Sequence, residues 1–341
     1  MKYVLGIETS CDETSVALVG ETGRVLDQIT STQIEVHRPF HGVVPEIAAR
    51  HHLINLPVLY ESIWKKTGLT LSDVDLISVT RGPGLIAALL VGVAFSRSLA
   101  LSSGIPLLGI NHLEGHLFSP FIEKNRPESF LGLVVSGSHA SVYLVRGNTI
   151  QRLNGTRDDA PGEAFDKVAK LMKLSYPGGP VIDRLSGSGD PEAFRFKNPI
   201  MSDGSLDFSF SGIKSAVSRI VDREGDSLFQ DGNLTQRGLD LLASFQNAVV
   251  NHLWDRVRKL WETYPVECIA VSGGVAANSR LQSVLQAWAA ERGVNLALPP
   301  LKYITDNAAM IAHHAFHLRK AGCGFDDPVL FDADPRLGQY A

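Results

Sequence analysis

The sequence predicts an α/β protein built as two similar halves around a cleft. Three observations lead there. Short β-rich runs alternate with longer helical patterns. A strand, a small polar turn and a returning strand occur twice, near the start of the chain and again from Leu131 to Val145. The length, 341 residues with 44% hydrophobic content, amounts to about two domains.

The elements follow in order. Lys2–Ile7 and Val16–Val19 read as strands joined by the polar turn Glu8–Ser15. Pro45 opens a helix that runs to Lys66, since proline suits a first helical turn, and Pro57 is expected to break or kink it. Leu76–Thr80 is a strand, Arg81–Gly84 a turn, Leu85–Leu101 a buried helix and Leu107–Ile110 the next strand. That order favours a parallel βαβ unit, with chemistry at the strand end where Asn111-His112 stands. The polar stretch 125–129 marks a boundary, giving an N-terminal subdomain of residues 1–125 and a C-terminal one of 126–311, with the tail 312–341 returning to the first. In the repeat, Ser136-Gly137-Ser138-His139 aligns with Glu8-Thr9-Ser10-Cys11. Residues 157–203, rich in Gly, Pro and Asp, read as an irregular active-site wall. Thr235 caps a helix to Trp261. Cys268–Val271 is a strand that runs through Ser272-Gly273-Gly274 and Asn278 into a helix ending near Arg292, and the tail after Phe325 is loop-like.

Composition narrows the function. With 36 acidic against 32 basic residues, the net charge of −4 excludes a globally basic nucleic-acid binder, though not a local basic groove or a shared surface. Cys11, Cys268 and Cys323 form no CxxC pair, which excludes a zinc ribbon and a disulfide framework. Glu8 interrupts the N-terminus too early for a signal peptide, and the longest apolar run, Leu85–Phe95, is too short to cross a bilayer. These features predict a cytoplasmic protein with no membrane contact.

Three constellations carry chemistry. His112 and His116 lie four apart, on one helix face, and can share a metal. The pattern is not HExxH, because Glu114 is not beside the first histidine, which argues against a zincin peptidase. Two exposed histidines at a helix start are the plain alternative. Asp306, in Thr305-Asp306-Asn307, is the candidate third ligand or else a helix N-cap. Two histidines and one carboxylate suit iron, zinc or manganese. Second, the hydroxyl-rich hairpins and Gly273-Gly274 can bring backbone N–H groups to a phosphate, although neither GxxxxGK[ST] nor GxGxxG occurs. Third, Asp158, Asp159, Glu163 and Asp166 stand near Gly178-Gly179 and Asp183 and can face ribose hydroxyls; for Glu163 and Asp166, ordinary helix-start acids are the alternative.

Taken together, the runs Gly6–Thr14, Gly42–Glu46, His112–His116, Gly162–Lys167, Tyr176–Pro180, Phe208–Gly212, Ser272–Asn278 and Thr305–Asn307 closely resemble the TsaD family, from Tyr3 to about Ile311. The resemblance implies the actin/Hsp70/hexokinase-like (ASKHA) fold, two duplicated RNase-H-like subdomains around a cleft. It implies transfer of a threonylcarbamoyl group from threonylcarbamoyl-adenylate to N6 of adenosine 37 in tRNAs reading ANN codons, with release of AMP. It implies that His112, His116 and Asp306 hold one divalent metal, Fe2+ or Zn2+, and that Val134, Val135, Ser136, Gly137, Ser138, Asp166, Gly179, Asp183 and Asn278 line the adenylate and threonyl site. The implied partners are tRNA, a TsaB-like paralogue and a TsaE-like ATPase. For a general base, Asp12 and Glu13 on the first hairpin turn are the candidates; turn capping is their plainer role. The rival functions are an ASKHA-type ATPase or phosphotransferase, and a non-catalytic scaffold of the same modification complex.

Some positions depart from the family pattern. Ser138 and Ala140 replace a usual Gly and Thr, His41 and Ala87 each a usual Gly, and Pro161 a usual Ala. A serine at 138 is strained if the turn requires positive φ there.

Overall fold

Two five-stranded sheets with one strand plan organise residues 2–338, the part of the chain described by the computed structural model. The first sheet has β1 (Tyr3–Glu8), β2 (Glu13–Gly20), β3 (Val25–Thr32), β4 (Leu76–Gly82) and β5 (Leu107–Asn111), in the order β3-β2-β1-β4-β5. β1, β2 and β3 pair antiparallel, while β1, β4 and β5 run parallel. The second sheet repeats this: β6 (Ser129–Val135), β7 (Ala140–Arg146), β8 (Thr149–Gly155), β11 (Cys268–Ser272) and β12 (Asn295–Ala297), in the order β8-β7-β6-β11-β12 with the same directions. A small hairpin of β9 (Phe229–Gln230) and β10 (Asn233–Leu234) stands apart.

The period-2 alternation of β1 and β2 sorts their apolar residues onto two covered faces. Leu5, Ile7, Val16 and Leu18 face Leu56, Leu59 and Ile63 of α2 (Pro45–Thr67) and Val93 and Ala100 of α3 (Ile86–Ser103). Val4, Ala17 and Val19 face Ala308–Ala312, Ala315 and Phe316 of α10 (Ala308–Lys320). Helix and sheet approach closely there: a Cβ on Gly6 would sit 2.4 Å from the Ala308 carbonyl oxygen. This packing draws the C-terminal segment into the first unit, which comprises the residues up to Arg126 and those from Pro299. The second boundary therefore falls at 298/299 and not at 311/312. Beyond α10, the tail straps the first sheet. Asp326 accepts the Gly109 N–H at 2.7 Å, and Phe331, 3% exposed, lies against Gly109.

The second unit, Pro127–Leu298, holds α5 (Pro161–Leu171), α6 (Gly178–Ser186), α7 (Ser211–Leu228), α8 (Gln236–Thr263) and α9 (Ser279–Arg292). Phe165 of α5 and Phe245 of α8 meet edge to face at 5.2 Å in its core. Thr235 caps α8 by accepting from Gly238 N–H.

Several expectations are corrected. Pro57 does not break α2, because Pro57 and Leu53, whose carbonyl loses its helical partner, face solvent. The helix begun at Leu85 is buried on one face only: Ala88, Leu89, Gly92, Val93, Ser96 and Ala100 point inward, while Ile86, Leu90 and Leu101 are exposed. Its 18 residues, of mean hydropathy 1.7, are long and apolar enough to cross a membrane, since Ser96–Ser103 extend the helix beyond the apolar run. The 157–203 wall is not irregular throughout, because α5 and α6 lie within it.

Candidate metal centre

β5 delivers the first histidine. Asn111, its last residue, caps α4 (His112–Phe118), its side-chain oxygen accepting from Leu113 N–H at 2.9 Å. His112 and His116, one turn apart, are 4% and 0% exposed, so the reading of two exposed histidines fails. The two roles open to Asp306 are also separated. Asn307 caps α10 by accepting from Met310 N–H at 2.9 Å, which leaves Asp306 free of that task. Asp306 Oδ1 lies 2.9 Å from His116 Nε2 and 3.5 Å from His112 Nε2. One ligand atom from each of the three lies within 4.8 Å of the others, a spacing that fits a divalent ion with open coordination positions.

Four carboxylates crowd this corner of the first unit. Burial, then the charge of Asp306, raises Asp12 to about 6. Burial, then Asp12, raises Glu13 to about 8, and Glu13 Oε2 has no hydrogen-bond partner. Burial would also raise Asp306, but His112 and His116 hold it well below the usual carboxylate range. Burial would lower His112, but Asp306 and then Glu8 outweigh it and lift the ring to about 10. A bound cation would relieve this mutual repulsion.

The turn bearing Asp12 and Glu13 is clamped from α2. His52, fully buried, donates from Nε2 to the Cys11 carbonyl at 2.9 Å and accepts at Nδ1 from the Thr14 hydroxyl at 2.8 Å. Neither His52 nor Glu8 stood out in the sequence. The available signal was a lone acid ending the apolar strand Tyr3–Ile7.

In the second unit, the implied adenylate residues gather at the ends of β6 and β11. Val134 and Val135 are buried in β6, whose register pairs Val134 with Ser272. Ser136, Gly137 and Ser138 form the following turn, closed by Ser136 N–H to the His139 carbonyl at 2.8 Å. The start of α5 docks on it, Gly162 and Glu163 N–H groups donating to the Ser136 and Gly137 carbonyls. Gly273 sits at φ 87°, where a Cβ would lie 2.3 Å from the Val135 carbonyl oxygen. Asp166 accepts Gly178 N–H at 2.6 Å. A Cβ on Gly179 would meet open space. Asp183 accepts from the Ser279 N–H and hydroxyl, and Asn278 caps α9. Asp158 and Asp159 are committed elsewhere, Asp158 to the N–H groups of Phe210 and Ser211 and Asp159 to Lys167 and Lys214. Among the described residues, the non-glycine positions of positive φ are His41, Glu123, Lys173 and Asp231. Ser138 is therefore unstrained, and the departure that carries strain is His41, at φ 54°. Pro161 sits in the first turn of α5, where proline is favoured.

Residues 24–313 match the family model described as TsaD, tRNA N6-adenosine threonylcarbamoyltransferase. A relative of that name from Thermosipho africanus is 46% identical over 336 residues, 98% of this chain and 99% of that protein. One from Anaeromyxobacter dehalogenans is 46% identical over 340 residues, with the same coverage. Among solved structures, HypF of T. kodakarensis superposes with a TM-score of 0.63 at 15% identity, over 94% of this chain and 48% of that one. The (R)-2-hydroxyglutaryl-CoA dehydratase component A of Acidaminococcus fermentans gives 0.52 at 14%, over 94% and 100%. These structures share the duplicated ASKHA architecture.

Proposed function

The chain belongs to the TsaD family of tRNA N6-adenosine threonylcarbamoyltransferases, and from that premise we propose how its residues divide the work. The reaction modifies tRNA by acyl transfer to the N6 amine of an adenosine. We assign threonylcarbamoyl-adenylate as donor, adenosine 37 of ANN-reading tRNAs as acceptor, and AMP as leaving group. The observation that carries the assignment is the convergence of His112, His116 and Asp306 on one point beside two carboxylates of raised pKa.

His112, His116 and Asp306 would hold Fe2+ or Zn2+, which supplies Lewis acidity toward the carbamoyl oxygen or orients the threonyl group. The turn Ser136–Ser138, Gly179 and Gly273 provide a small-residue cradle for the AMP portion, where backbone N–H groups can meet phosphate oxygens. Asp12, ionised above about pH 6, is the group we assign to accept the proton from the attacking amine. Glu13 stays protonated at neutral pH, and its burial excludes a second negative charge from the same turn. The exposed apolar residues Leu53, Ile54 and Val58 of α2, with Ile86 and Leu90 of α3, form the surface we assign to a TsaB-like paralogue. A TsaE-like ATPase completes the set, and the reaction belongs in the cytoplasm with its tRNA.

The test combines the chain and its TsaB-like and TsaE-like partners with threonylcarbamoyl-adenylate and an unmodified ANN-reading tRNA. The nucleosides are read by mass spectrometry, beside a His112→Ala/His116→Ala variant. Threonylcarbamoyladenosine that disappears in the variant supports the assignment. Equal product from both would remove the metal centre from the mechanism.

A further inference from the structure

Behind His112 lies a carboxylate with no part in the assignments above. Glu8 ends β1 and is fully buried. Its Oε1 accepts the Ser10 backbone N–H at 2.5 Å, and its Oε2 accepts from the Thr80 hydroxyl. The same Oε2 stands 3.2 Å from His112 Nδ1. Both Glu8 oxygens already act as acceptors, and the contact of Oε2 with His112 completes the set when Nδ1 carries a hydrogen and donates it. An ion at the cluster displaces the hydrogen from Nε2, and with Nδ1–H held by Glu8 the Nε2 lone pair is the one left for it. The second histidine has no such support, since His116 Nδ1 is buried without a partner. Ser10 Oγ also lies 3.2 Å from His112 Nδ1, but it is neutral and can turn its hydrogen either way.

We propose that Glu8 is a positioning residue of the metal centre, fixing the tautomer and ring orientation of His112 so that Nε2 meets the ion. This rests on the metal reading of the His112, His116 and Asp306 cluster. An outer carboxylate on a ligating histidine typically contributes 10- to 100-fold in metal affinity.

Glutamine at position 8 keeps the volume but presents one acceptor oxygen where two faces need one. If that oxygen takes His112 Nδ1–H, the amide NH2 points at the Ser10 N–H. If it takes Ser10, the NH2 donates to His112 Nδ1 and drives the hydrogen onto Nε2, where it blocks coordination.

The full-length chain, stripped by chelator, is titrated with Co2+ and followed by visible absorption, as wild type and as Glu8→Gln, Glu8→Asp, Ser10→Ala and His116→Ala. The expected result is a Kd raised about 10- to 100-fold in Glu8→Gln. Part of that is regained in Glu8→Asp, Ser10→Ala shifts less than threefold, and His116→Ala shows no uptake. Unchanged Kd in Glu8→Gln, or an equal loss in Ser10→Ala, overturns the role of Glu8 while leaving the metal centre standing. Wild type that takes up no Co2+ sinks both. Should Glu8→Gln fail to fold, long-range 1H–15N spectra of the Zn2+-loaded wild type decide. A hydrogen on His112 Nδ1 supports the proposal, and one on Nε2 overturns it.

Discussion

Replacing Glu13 by glutamine should stabilise the protein, and by an amount that grows with pH. The folded environment raises this carboxyl from 4.5 to about 8, first through burial and then through Asp12. A raised pKa means that the folded state keeps a proton that the unfolded state has released. Stability is therefore lost as pH climbs from 4.5 to about 8, and is flat on either side. At about 1.4 kcal/mol per pKa unit, the deficit is about 2 kcal/mol at pH 6 and approaches 5 kcal/mol by pH 9, as a ceiling. Glutamine has the same shape and no charge, so Glu13→Gln escapes the whole deficit. Urea unfolding of the chelator-treated protein and its variant at pH 5, 6.5, 8 and 9.5 isolates this carboxyl from Asp12, because Asp12 titrates in both. Bound Zn2+ should narrow the gap, since Asp306 contributes to the repulsion. A stability difference that stays constant across this range refutes the electrostatic account, and one that shrinks with pH reverses its sign.

Other outcomes follow from neighbouring features. Asp12→Asn should lower kcat by about 10²- to 10⁴-fold, the range of a lost general base, with metal binding retained; wild-type transfer should decline on the acid side of a pH–rate profile, at a pH below the ion-free value of about 6, because the bound ion offsets the Asp306 charge that helps to raise Asp12. Gly6→Ala forces a methyl against the Ala308 carbonyl and Ala312 Cβ, and should cost about 1–3 kcal/mol in chemical denaturation. The same change should weaken Co2+ binding, since Asp306 stands at the start of the displaced helix. His41→Gly should raise stability by about 0.5–1 kcal/mol in the same assay. It relieves a left-handed conformation worth about 1–2 kcal/mol and returns about half of that as added freedom of the unfolded chain.

The duplication was legible because β1, β2, β6 and β7 are buried on both faces and read as uninterrupted apolar runs around polar turns. β3 and β8 were not, because they lie at sheet edges with half-exposed, mixed sequences such as Val25–Thr32. α6 was hidden by Pro177 and Gly178, which look like loop composition, while α5, behind Pro161, showed only through Glu163 and Asp166 as helix-start acids. The candidate triad could be proposed from spacing, but that Asp306 is not the helix cap needed the neighbouring Asn307 to be seen taking it. Ser138 drew suspicion as a departure because sequence carries no φ, and the same blindness concealed His41. Glu8 was invisible in its role because its three donors come from Ser10, Thr80 and His112, up to 104 residues away.

The placement of α10 has a consequence for how the protein comes to be. Asp306 and His116 are separated by 190 residues, and the whole second unit is translated between them. At roughly 5–20 residues per second, the ribosome takes on the order of 10–40 s to cross that interval. Throughout it, the apolar face formed by Val4, Ala17 and Val19 waits for the helix that will cover it. The contiguous second unit has no such wait. The half that begins the chain is thus the last to mature, and a nascent chain halted before residue 306 lacks both the lid of its first sheet and the carboxylate of the proposed ligand triad. Metal uptake then reports on completed synthesis, and a dependence on chaperones during that interval should fall on the N-terminal half.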